Sequence, residues 1–394
     1  MIYDLLFRLV LSRIDAERAH GLAARALPAL TGAPVIGRLI GAALAPREPG
    51  LRVEAFGQTF TTPLGAAAGT DKDATWFESL GALGFGAVEV GTVTARAQPG
   101  NPRPRIFRLP KAKGILNSMG FPNAGAEATA KRLSRRHRNM VVGANVGRSK
   151  EADAEGAGVD YRTAVRWVAP HSDYLVINVS SPNTPGLRAM QSVETLRWLV
   201  GEVREELRSI RCEIPTLVKI GPDLGDAEID AVADLALELE LDGIVAVNTT
   251  TSREIVDLPS DLVGSPGGVS GRPLRPLALE VLERLYGRVG NRLVLVSVGG
   301  VDSADDAWER LRAGATLVQA YSGFVFGGPL WPSRMNRGLA ARLRASGASS
   351  VSEIIGCGVQ VHGRTVEAPE APEAPEAREA REVEAARRPA VPSG

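Results

Sequence analysis

Tyr174-Leu-Val-Ile-Asn-Val-Ser-Ser-Pro-Asn-Thr-Pro-Gly186 opens as an unbroken apolar run and turns polar within a few residues. An apolar run without polar alternation predicts a strand buried on both faces, as parallel sheets covered by helices require. The pattern recurs in both directions. Leu64–Ala68, Ala87–Val90 and Val141–Ala144 precede it, and Thr216–Ile220, Gly243–Asn248, Val294–Val298 and Thr316–Tyr321 follow. Each run leads into polar or glycine-rich residues and then into helical spacing. Eight such strands in about 300 residues fit a closed (β/α)8 TIM barrel of the α/β class better than an open sheet. A doubly wound sheet stays possible, but its dinucleotide fingerprint is missing. Gly81-Ala-Leu-Gly84-Phe-Gly86 lies before a strand, whereas that fingerprint must follow one.

Outside the barrel, assigned to residues 46–345, the chain changes character. Residues 1–45 carry Ile2, Leu5, Leu6 and Leu9, then Ala19, Leu22, Ala23, Ala26, Leu27 and Leu30, at helical spacing. Five arginines face three acids there. Two readings stand open: amphipathic helices lying in a membrane surface, or a helical pair packed on the barrel. Residues 360–394 repeat Glu-Ala-Pro and then run to Glu, Ala and Arg. They lack the apolar surface that would offset ordering entropy, which predicts a disordered tail.

Composition excludes several classes of function. With 44% hydrophobic residues and a formal net charge of +1 over 394 residues, the chain offers nucleic acid no basic domain. Cys212 and Cys357 provide neither a disulfide framework nor metal-ligand spacing, which suits a reducing, cytosolic compartment and predicts no metal site. No stretch approaches the roughly 20 apolar residues of a transmembrane helix. Charged residues such as Arg8, Arg13 and Glu17 interrupt any secretory signal.

In such barrels the active site lies at the C-terminal ends of the strands, and unusual polar residues collect there. They include Gly69-Thr-Asp-Lys-Asp73, Gly91-Thr-Val-Thr94, Asn145-Val-Gly147, the Asn178–Gly186 stretch, Lys219 and Asn248-Thr-Thr250. Asparagine is a poor strand former, so three of them converging on one face with two lysines point to a binding site. Lys72 either serves an anionic ligand or pairs with Asp71 or Asp73. The last two strands end in Val298-Gly-Gly-Val301, with Asp302 and Ser303 as helix caps, and in Tyr321-Ser-Gly323. Together these glycine-bearing loops favour a phosphate-bearing ligand. Two lysines and several amides around a phosphate suit a flavin mononucleotide better than a nicotinamide, with Lys219 near the N1–C2=O edge of the ring. Composition alone does not separate this from a sugar-phosphate isomerase.

These motifs resemble the class 2, quinone-dependent dihydroorotate dehydrogenases. The stretches that carry the likeness are Ala68–Asp73, Gly91–Thr94, Asn101-Pro-Arg-Pro-Arg-Ile-Phe-Arg-Leu109, Asn117-Ser-Met-Gly-Phe121, Asn178–Arg188, Asn248–Thr250, Gly267-Gly-Val-Ser-Gly-Arg-Pro273 and Gly299-Gly300. The likeness runs from about residue 1 to about residue 340.

The resemblance implies that dihydroorotate is oxidised to orotate in pyrimidine (UMP) synthesis, with FMN as hydride acceptor and a membrane quinone as final acceptor. Ser181 would be the general base that takes the C5 proton while hydride leaves C6, with Thr184 and Phe121 lining its relay. Substrate would be held by Lys72, Asn117, Ser118, Met119, Gly120, Phe121, Asn178, Asn183, Asn248 and Thr249. An orotate-like ring with a carboxylate needs such donors and acceptors. FMN would contact Ala68, Gly69, Thr70, Asp71, Lys72, Thr92, Asn145, Asn178, Lys219, Val247, Gly271, Gly300, Tyr321 and Ser322. Val247 and Ser118 depart from the residues common in relatives, so both would contribute main chain.

His20, Arg108 and Tyr321 would line a quinone tunnel under an N-terminal lid, on a peripheral membrane protein at the cytoplasmic face of the cell membrane. A class 1 relative would carry a cysteine base and no N-terminal helices. A catalytically silent barrel would have no need of Ser181, Lys72 and Asn178 together. Both fit this sequence worse.

Overall fold

Each apolar run forms a barrel strand in the computed structural model, which describes residues 2–137, 140–153, 155–184 and 186–359. The tail predicted over 360–394 lies outside the described residues. The chain opens with three helices, α1 (Ile2–Leu9), α2 (Ala16–Thr31) and α3 (Pro34–Leu44). Strands β1 (Val53–Ala55) and β2 (Gln58–Phe60) then form an antiparallel hairpin. β3 (Leu64–Asp71) and β4 (Ala87–Val93) begin the barrel, and β5 (Ile106–Leu109) and β6 (Gly114–Asn117) leave it. β7 (Val141–Val146), β8 (Tyr174–Asn178), β9 (Thr216–Ile220) and β10 (Gly243–Ala246) continue it. β11 (Gly268–Gly271) departs again, and β12 (Val294–Val298) and β13 (Leu317–Ala320) complete the ring.

The closed order is β3–β4–β7–β8–β9–β10–β12–β13, all parallel, with β13 pairing back onto β3. The strands are apolar because both faces are covered. Every residue of β7 and β8 is buried. Outside, helices present one stripe inward, as Leu196, Leu199, Val200, Val203 and Leu207 do on Val193–Ser209. Full burial of each such side chain is worth about 1.5–3 kcal/mol. That helix begins where the Ser192 hydroxyl accepts the Thr195 N–H.

The hairpin lies at the N-terminal mouth, where the Phe56 ring meets Tyr174 at the start of β8, with centroids 5.5 Å apart. At the opposite mouth β5, β6 and β11 make a three-stranded antiparallel sheet in the order β11–β6–β5. Periodicity did not predict this sheet. The N-terminal helices cover the same mouth. Phe7 of α1 packs on Phe326 with centroids 5.3 Å apart, Tyr3 donates to the Val325 carbonyl, and Asp15 caps α2 through the Arg18 N–H.

Candidate active site

Beneath the C-terminal mouth lies a buried polar network fed by five strands. Glu89 of β4, fully buried, accepts from Asn145 Nδ2 at 2.7 Å and from Gln319 Nε2 at 2.8 Å, and Lys219 Nζ stands 3.6 Å from it. Asn145 Oδ1 in turn accepts from Thr92 Oγ1 at 2.6 Å and from Asn178 Nδ2 at 3.1 Å. A buried carboxylate is tolerated only when paired and hydrogen-bonded, and here it is both. The network fixes the rotamers of Asn178, Thr92 and Lys219, which line the cavity above it.

That cavity is lined by polar groups on one side and by glycine-rich loops on the other. On one side stand Ser181, Asn117, Asn183, Asn248 and Thr249. Ser181 is 4% exposed, and its Oγ accepts the Asn183 N–H at 3.2 Å. Asn183 Nδ2 donates to Asn117 Oδ1 at 3.2 Å, and Asn248 Nδ2 donates to Ser180 Oγ at 3.0 Å. Backbone turns at strand ends leave these amides facing inward, so their order along the chain says little about their proximity.

On the other side are the loops after β11, β12 and β13. Gly271 and Gly300 adopt φ of +87° and +80°. A Cβ at Gly300 would come within 2.3 Å of Arg275 Cα, and one at Gly271 within 2.3 Å of the Lys113 carbonyl. Only glycine lets the main chain run there. The Ser270 and Ser322 hydroxyls bond at 2.9 Å. Arg310 is fully buried and donates to the Gly299 carbonyl at 3.1 Å, so a cation lies directly under this rim. Glycine loops, hydroxyls and helix-start N–H groups that lack intrahelical partners form a donor set suited to a phosphate. Ala67, Val247, Val298 and Ala320 supply apolar surface for a planar ring. The residues present fit a flavin nucleotide.

Electrostatics divide the rim. Burial pulls Lys72 down to about 8, against the opposing pull of Asp71 and Asp73, while its Nζ donates to the Gly69 carbonyl at 2.7 Å. Burial lowers His20 to about 3, with Lys72 acting the same way. Burial also pushes Tyr321 up to about 12. The Tyr321 hydroxyl lies 3.4 Å from His20 Nδ1, so α2 touches the end of β13.

The cavity wall gathers Lys72, Asn117, Met119, Gly120, Phe121, Asn178, Ser181, Asn183, Asn248 and Thr249. It also gathers Ala68, Gly69, Thr92, Lys219, Val247, Gly271, Gly300, Tyr321 and Ser322. Five of the sequence-predicted residues stand behind it. Asn145 belongs to the network below. Asp71 accepts the N–H groups of Thr75 and Trp76 and so shapes the loop that carries Lys72. Thr70 is buried with its hydroxyl unpartnered. Thr184 is buried, and Ser118 donates its N–H to the Arg105 carbonyl. His20 and Arg108 also stand outside the wall. Arg108 holds the Ile14 carbonyl and lies 5.8 Å from the Phe7 ring.

Glu89, Gln319, Ser270 and Arg310 were missed from the sequence. The available signal was a polar residue interrupting an otherwise apolar strand, at Glu89 and Gln319. Among the described residues no group of three or more His, Cys, Asp or Glu is placed to hold a metal ion.

Fold and site together define a (β/α)8-barrel enzyme with a glycine-rich rim and an amide-rich pocket facing it. The profile of the family described as dihydroorotate dehydrogenase matches residues 50–343. The chain is 52% identical over 366 residues to the dihydroorotate dehydrogenase (quinone) of Thermobifida fusca, covering 91% of this chain and 97% of that one. It is 51% identical to that of Streptomyces coelicolor, covering 92% and 100%. Among solved structures, DHODH from Eimeria tenella in complex with ferulenol superposes with a TM-score of 0.76 at 34% identity, over 86% of this chain and 95% of the other. The chain belongs to the dihydroorotate dehydrogenase family, a family of flavin-dependent oxidoreductases.

Proposed function

We propose that this chain oxidises dihydroorotate to orotate in pyrimidine synthesis, with FMN held in the barrel mouth and a membrane quinone as the final electron acceptor. The observation that carries the reading is that Ser181, Lys72 and four asparagines share one cavity with the glycine loops after β11 and β12. The family and the relatives named quinone-dependent support it. When bound, FMN supplies the hydride acceptor and stores the electron pair.

The protein's own residues do the rest. Lys72 pairs with the substrate carboxylate, and Asn117, Asn178, Asn183, Asn248 and Thr249 match the ring's amide edges. Ser181 Oγ receives the C5 proton as its own hydroxyl proton passes onward, and the Asn183 N–H fixes the position of that oxygen. An alcohol is a weak base at neutral pH, so the proton must pass onward, and Thr184 and Phe121 would line the path it takes. Gly271, Gly300, Tyr321 and Ser322 would hold the cofactor, and Lys219 would favour negative charge on its ring. Cys212 is only half-buried and Cys357 exposed, and neither lines the cavity, which favours a serine base over a cysteine one.

His20, Arg108 and Tyr321 lie between the α1–α2 cap and the barrel, where quinone would approach. No single described helix is long and apolar enough to cross a membrane. Yet among the described residues nine of the fourteen exposed large apolar side chains fall between Leu5 and Leu39. That concentration supports peripheral attachment through the cap. Pigment released by denaturing the purified protein should have the mass of FMN at one per chain. A colourless protein, or release of a different flavin, would overturn the cofactor assignment.

A further inference from the structure

We propose that Glu17, in the first turn of α2, is a positioning residue for the loop that carries Ser181, acting through Arg105 and Asn101. The proposal rests on the reading of Ser181 as the base for dihydroorotate. Arg105 is the hub. Its Nε and Nη2 donate to the two Glu17 carboxylate oxygens at 3.1 and 2.6 Å, a forked pair. Its Nη1 donates to the carbonyls of Pro99 and Asn101 at 2.6 and 2.7 Å. Arg103 closes on the same carboxylate at 3.0 and 2.8 Å. The Arg105 side chain is 4% exposed and that of Glu17 19%, whereas that of Arg103 is 71%. Glu17–Arg105 is thus the desolvated pair, and Arg103 is screened by water.

From Asn101 the connection continues into the site. Asn101 Nδ2 donates to the Asn183 carbonyl at 3.1 Å and to the Ser118 carbonyl at 3.0 Å. The N–H of Asn183 is the donor on Ser181 Oγ, at 3.2 Å. A parallel thread runs from the Arg105 carbonyl to the Ser118 N–H at 2.9 Å, next to Asn117. The turn at Gly100, φ +75°, packs on the guanidinium, where a Cβ would sit 2.6 Å from Nη1.

A neutral residue at 17 leaves Arg105 buried without its counter-charge. The guanidinium then turns toward water and releases the two carbonyls, so Asn101 no longer fixes Asn183. Docking of the cap and assembly of the serine loop are therefore one event. The cap serves the substrate step as well as the path to quinone.

The test uses the holoenzyme and the variants Glu17→Gln, Asn101→Ala, their combination, and Arg103→Ala. Orotate affinity is read from the flavin spectrum, and reduction by dihydroorotate is followed anaerobically. Each of the first two variants is expected to weaken orotate binding and slow reduction on the order of tenfold, because small misplacements of reacting groups cost at least that much. The combination should be no worse than the worse single variant, as for sites in one chain of contacts. Arg103→Ala should stay within about twofold of wild type.

If Glu17→Gln disrupts the cap, Asn101→Ala decides alone, since it leaves the Glu17–Arg105 pair untouched. Wild-type affinity and rate in Glu17→Gln or in Asn101→Ala would overturn the proposal, as would losses that simply multiply in the combination. A wild-type enzyme that dihydroorotate cannot reduce would instead overturn the functional reading, and this proposal with it.

Discussion

Ser181 owes its place to a turn that brings the Asn183 N–H onto its oxygen and buries the serine. One hydrogen bond does not make an alcohol a base, so removing the oxygen should remove the proton's first stop without disturbing the flavin site. Ser181→Ala is expected to retain its pigment and to slow flavin reduction about 10²–10⁴-fold by stopped flow. Unchanged reduction would transfer the role to another group. Lys72 gives a second residue-scale expectation. Burial holds it at about 8, so it is charged below that pH and neutral above it. Orotate affinity should therefore be flat at lower pH and weaken by up to about tenfold per unit above about 8. Lys72→Met should bind weakly and lose that dependence, and a flat wild-type profile would contradict the assignment. Lys72 and the asparagines were legible in the sequence, because polar residues that form poor strands ended apolar runs. Glu89 was not. A single carboxylate in a strand has no local partner, and Asn145, Gln319 and Lys219 reach it from three other strands.

At the scale of elements, the eight barrel strands were legible because burial on both faces leaves an unbroken apolar record. The β5–β6–β11 sheet was not. Ile106–Leu109 carries Arg108, and β6 pairs on one side with β11, where Ile115 faces Ser270. No local pattern encodes a partner so distant in sequence. The N-terminal helices were legible as amphipathic, but the sequence left open whether they lie on a membrane or on the barrel. In the structure they pack on the barrel through Phe7, Ala24 and Leu27 and still expose Leu5, Leu9 and Leu39. Replacing those three leucines with serine is expected to reduce co-sedimentation with phospholipid vesicles while leaving flavin reduction by dihydroorotate at the wild-type rate. Undiminished vesicle binding would place membrane contact elsewhere.

At the scale of the molecule, inward-facing amides and glycine loops share one cavity, and α2 stands at its edge, with His20 Nδ1 3.4 Å from the Tyr321 hydroxyl. On the proposed reading, one flavin would serve two half-reactions, joined only by the electrons it holds between them. The most direct measurement is an anaerobic titration of the purified holoenzyme, first with dihydroorotate and then with a soluble quinone. The yellow absorbance is expected to bleach with one equivalent of dihydroorotate, yielding orotate, and to return on adding quinone. A pigment that dihydroorotate leaves coloured, or that stays bleached in the presence of quinone, would contradict that reading.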